Sequence, residues 1–112
     1  MRRLLTYGLL LVLAACTVES RAGKDGYVFE KKEFEKTSIK VEMITYKTKA
    51  ELLKAAKQLN ITVESNRELA AFATLRPSQN ACTIHTMDPS KSYEPEFMGH
   101  ELAHCFYGRW HP

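Results

Sequence analysis

What most limits the fold open to this chain is its first sixteen residues, because they take length away from a sequence that is already short. Arg2 and Arg3 precede an apolar run, Leu9 to Ala15, which carries no charge and ends at Cys16. A basic start, a short apolar stretch and small residues at its close make an export leader. The run is too short to remain as a bilayer span. As a core helix it would be apolar on every side, which a small domain cannot bury. The expected division is a cleaved leader at 1–15, a tether at 16–26 and one domain at 27–112. Those 86 residues bury only a limited core.

Leu13-Ala14-Ala15-Cys16 resembles the bacterial lipoprotein processing box. The resemblance implies that Cys16 is acylated, becomes the mature N-terminus and holds the protein in a membrane of the bacterial envelope. Thr17 rather than Asp follows it, which implies the outer membrane, with the domain facing the periplasm. Loss of Arg2 and Arg3 with the leader lowers Lys plus Arg from 16 to 14 against 13 acidic residues, so the net charge falls from +3 to +1. The remaining lysines alternate with acids, as in Glu30-Lys31-Lys32-Glu33, and form no basic stripe. Nucleic acid is therefore not an expected partner. Two cysteines remain, Cys82 and Cys105. An exported compartment permits a disulfide between them, and a domain of this size gains from a crosslink; two separately buried thiols are the alternative.

The periodicity predicts an α+β domain in the order β-α-β-β-α, with a small antiparallel or mixed sheet. Val28 to Phe34 reads as a polar first strand, and Ile39 to Tyr46 as a clearer one with alternating apolar residues. Thr48-Lys49-Ala50-Glu51 has the form of a capping box. It opens a helix with Leu52, Ala55, Ala56 and Leu59 on one stripe and Asn60 at its stop. Leu69 to Leu75 and Ala81 to Met87 read as strands joined by the turn Arg76 to Asn80. The second of these places Thr83, His85 and Met87 on one face and Cys82, Ile84 and Thr86 on the other. Pro95 suits a first helical turn, and Gly108 ends the helix that follows.

That helix carries His100-Glu101-Leu102-Ala103-His104. A spacing of four puts both imidazoles on one side of a helix, where they can share a metal ion. Glu101 projects roughly 100° around the helix from His100, beside the ion's open position. These residues resemble the zincin metallopeptidases, whose motif is His-Glu-x-x-His. The resemblance implies a bound Zn2+, a peptide or protein substrate, and Glu101 as the general base. Metzincins extend the motif as His-x-x-Gly-x-x-His. Gly108 and His111 keep the Gly-x-x-His spacing, with one extra residue between His104 and Gly108. The likeness covers the final helix and, loosely, the strands before it, without the metzincin Met-turn and second subdomain.

His111 is the leading third ligand and His85 its rival, with Asp88 a weaker choice. An unbroken helix would carry His111 about 10 Å beyond His104; Gly108 offers the turn that brings it back. Tyr93, Tyr107, Arg109 and His85 are alternatives for an oxyanion donor. In zincins a strand along the cleft aligns the substrate, which here implies Ala81 to Met87, with Thr83, His85 and Met87 as its substrate-facing residues. Such a strand binds peptide by strand addition if it lies at a sheet edge. A different class of function is also open: a lipid-anchored, non-enzymatic zinc module that binds or stabilises a partner. Glu101 separates the two, since a structural zinc site needs no carboxylate beside an open position.

Overall fold

Among the described strands Ala81–Met87 alone carries no charged residue, and in the computed structural model it lies at the centre of the sheet. The structure describes residues 21–63 and 68–112; the leader and Cys16 lie outside the described residues. The elements are β1 (Lys40–Tyr46), α1 (Lys49–Gln58), β2 (Ala71–Arg76), β3 (Ala81–Met87) and α2 (Pro95–Tyr107). They make a small α+β domain with a mixed sheet in the order β1-β3-β2. β1 runs parallel to β3, from Lys40 beside Ala81 to Tyr46 beside Met87. β2 runs antiparallel to it, from Ala71 beside Thr86 to Arg76 beside Ala81.

The two helices cover opposite faces. Leu52 and Ala56 of α1 are fully buried against Phe72 and Met87. On the other face Cys105 of α2 packs on Cys82 and Ile84, and Cys82 and Cys105 are joined as a disulfide. By loop-closure entropy a bridge across a separation of 23 residues is worth about 3 kcal/mol. The α1 cap forms as the sequence suggests: Thr48 Oγ1 accepts from the Glu51 amide at 3.1 Å. The Glu51 carboxylate reaches one residue further than a capping box requires, to the Lys47 amide at 3.2 Å. Leu59, expected on the buried stripe, falls at the C-cap and is exposed.

Val28 to Phe34 is not a strand of this sheet. Among the described residues its only ladder contact is an isolated bridge between Ala22 and Val28. Its amides serve the end of α2 instead. Glu30 donates to the Trp110 carbonyl at 2.9 Å, Glu33 to Tyr107 at 3.0 Å, and Lys36 just beyond donates to Phe106 at 2.9 Å. Carbonyls around the C-terminal end of a helix lack partners within it, and this segment supplies them.

Candidate metal centre

Pro95 occupies the first turn of α2, and His100 and His104 follow one turn apart on the same side. Their Nε2 atoms lie 3.1 Å from each other. His111 completes a triangle, its Nε2 3.0 Å from that of His104 and 3.2 Å from that of His100. Gly108 makes this return possible. Its φ is +72°, and its amide donates to the His104 carbonyl at 2.8 Å. A Cβ there would lie 2.7 Å from the Phe34 ring and 2.9 Å from Glu33, so side chain and conformation both exclude other residues.

The outer nitrogens decide what the triangle can hold. His100 Nδ1 donates to Asp25 Oδ2 at 2.7 Å, His104 Nδ1 to the Gly108 carbonyl at 2.7 Å, and His111 Nδ1 to the Pro112 carbonyl at 2.9 Å. Each Nδ1 faces an acceptor and so carries the proton, which leaves three Nε2 lone pairs pointing at one another. Lone pairs at that separation repel unless a cation lies between them. The cluster is thus capable of chelating a metal ion. Burial lowers the His100 and His104 pKa values, with Asp25 and the Gly108 carbonyl respectively opposing that shift. The neutral imidazoles that coordination requires are therefore favoured. Asp25 is held below the usual carboxylate range: its own burial opposes this, but hydrogen bonds from His100 and the Tyr27 amide outweigh it.

Glu101 is buried beside the cluster, and that burial raises its carboxyl to about 7. It shares with His100 the wall of a cavity of about 210 Å³ that is also lined by Tyr27, Leu69, Ala71 and Phe97. A neighbouring groove runs past all three histidines between β2 and Arg109.

Three expectations change. β3 is not an edge strand: it is paired on both sides, so its backbone has no free ladder for a substrate. Thr83, His85 and Met87 are all buried, and Thr83 Oγ1 accepts from Arg76 at 3.1 Å. β2 is the edge that borders the histidines, with Ala71 and Ala73 in the groove wall. His85 is no ligand in this arrangement. It stacks on Phe72 at 4.2 Å and its Nδ1 meets the Tyr46 hydroxyl at 2.8 Å, on the α1 side of the sheet. Asp88 is occupied by the Ser90 amide and hydroxyl at 2.9 and 2.7 Å.

Sequence reasoning missed Asp25, assigned to the tether, and Tyr27. The buried Trp110 ring touches all three histidine rings, with centroids 4.8, 5.1 and 4.6 Å away. The Gly-Lys-Asp-Gly context of Asp25 reads as linker, and its contact to His100 spans 75 residues, so nothing local marks it. Comparison with protein-family models, with curated proteins and with solved structures gives no match.

Proposed function

We propose that this chain is a zinc-binding domain of the bacterial envelope, lipid-anchored through Cys16, with His100, His104 and His111 as the ligands. The observation that carries the metal site is the convergence of three imidazole Nε2 atoms at 3.0–3.2 Å, each ring with its Nδ1 against an oxygen acceptor. An all-imidazole donor set with neutral rings suits zinc. This much suffices for a structural or interaction module, and it is the reading that the geometry supports furthest. About one zinc per chain by elemental analysis, lost in His100→Ala, is the expected result; a parent protein that takes up no zinc overturns it. Cys16→Ala should release the protein from membranes.

Glu101 favours a second reading, hydrolysis of peptide bonds. A structural site gains nothing from burying a carboxyl next to a ligand, and burial costs free energy. A bound zinc ion supplies Lewis acidity and a more acidic water. The chain's own residues supply the rest. Glu101, buried beside the three histidines, is placed to take a proton and return it to a leaving amine. The outer edge of β2 offers amides and carbonyls to an extended peptide or protein substrate beside the histidines. Glu101→Gln should keep zinc and lose roughly 10²–10⁴ in cleavage rate. Equal cleavage by parent and variant excludes this mechanism. A zinc-loaded parent that cleaves nothing in broad peptide and cell-wall screens leaves the non-enzymatic module.

A further inference from the structure

We infer that residues 25–29 form a strap that orients the three metal ligands, with Asp25, Tyr27 and Phe29 as its positioning residues; the inference rests on the metal-binding reading above. Alternate residues of this segment reach His100 and His111 directly and His104 through Trp110. Asp25 Oδ2 accepts from His100 Nδ1 at 2.7 Å. The Tyr27 ring lies with its centroid 4.5 Å from those of both His100 and His111. Phe29 stacks on Trp110 at 5.2 Å, and Trp110 stacks in turn on His104 at 5.1 Å.

The strap is itself held. Ala22 bridges Val28, the Gly23 amide donates to the Tyr27 carbonyl at 2.9 Å, and Gly26 turns the chain at φ +85°. Asp25 Oδ1 accepts from the Tyr27 amide at 3.1 Å, which fixes the carboxylate so that its other oxygen faces His100. Downstream, Glu30 and Glu33 tie the segment to the carbonyls of Trp110 and Tyr107. A free imidazole samples several rotamers, and an ion must order three of them at once. A segment that does this in the folded chain lowers the cost of binding. The Asp25 charge also makes the His100 ring a stronger donor.

The test measures zinc affinity of the full chain by competition with a chromophoric chelator, alongside the absorption spectrum of the cobalt-loaded protein. Asp25→Ala should weaken zinc binding roughly 10–100-fold and alter the cobalt bands. Asp25→Asn keeps an acceptor for Nδ1 but loses the charge, and should fall between Asp25→Ala and the parent. Tyr27→Ala should weaken binding, and Tyr27→Phe, which keeps the ring, should restore most of it. Urea unfolding in the presence of chelator separates these effects from general stability, since Asp25→Asn should unfold with the parent. Zinc affinity within about threefold of the parent in both Asp25→Asn and Tyr27→Ala overturns the strap. A parent that binds no zinc fails earlier and overturns the metal reading itself.

Discussion

The two faces of the sheet treat buried histidine in opposite ways. On the α1 face His85 lies between Phe72 and Tyr46, is 5 % exposed, and has its Nδ1 satisfied by a phenol. On the α2 face His100 is 9 % exposed, yet its Nε2 is aimed at two other histidine nitrogens. Burial is alike in the two; what differs is where the inner nitrogen points and what fixes the outer one. A histidine becomes a ligand when an acceptor behind it turns the lone pair toward others of its kind. The faces also close differently, one by apolar packing of Leu52, Ala56, Phe72 and Met87, the other by a covalent tie beside the site.

Exchanging the two histidines in an experiment gives the largest expected effect. His104→Ala should reduce bound metal from about one ion per chain to none, whereas His85→Phe should leave the stoichiometry unchanged. Metal loss in His85→Phe, measured by elemental analysis, would break the comparison. Next in size is the crosslink. Cys82→Ser with Cys105→Ser should lower stability by about 3 kcal/mol, read from urea midpoints against the oxidised parent. An unchanged midpoint would mean that packing alone closes the α2 face.

Gly108→Ala probes the turn that brings His111 back. The strained φ should cost on the order of 1–3 kcal/mol and draw His111 off the ion. Parent-like zinc affinity in a folded Gly108→Ala would deny Gly108 that role. The smallest effect separates the faces by pH. Burial holds the His85 imidazole below its ordinary value, so the unfolded chain takes up the proton first on acidification. Its contribution to stability is complete above about pH 6.5 and is lost as pH falls toward the folded value, by at most about 1.4 kcal/mol per unit. The difference between parent and His85→Phe across pH 7 to about 5 should follow that slope; parallel curves would show that His85 does not titrate with unfolding.

Much of this was legible locally. The bounds of β3 and α2, the Gly108 stop and the His100–His104 pair follow from period, turn chemistry and spacing, while His111 over His85 and the Cys82–Cys105 bridge over free thiols were choices between alternatives that the structure decides. Strand order was not, because pairing joins residues far apart in sequence. One signal for it was present. β3 has no charge, while β1 carries Lys40 and Glu42 and β2 ends in Arg76, as expected of one strand enclosed by two edges. Val28 to Phe34 misled because an extended segment that serves a helix end resembles a strand in composition. Asp25 had no local signal, since its purpose exists only once His100 is beside it.

That separation has a consequence for the timing of synthesis. The three histidines lie at positions 100, 104 and 111, and the carboxylate behind the first of them at position 25. A ribosome must pass His111 before the cluster can close, so Asp25 is made well before the ring it holds.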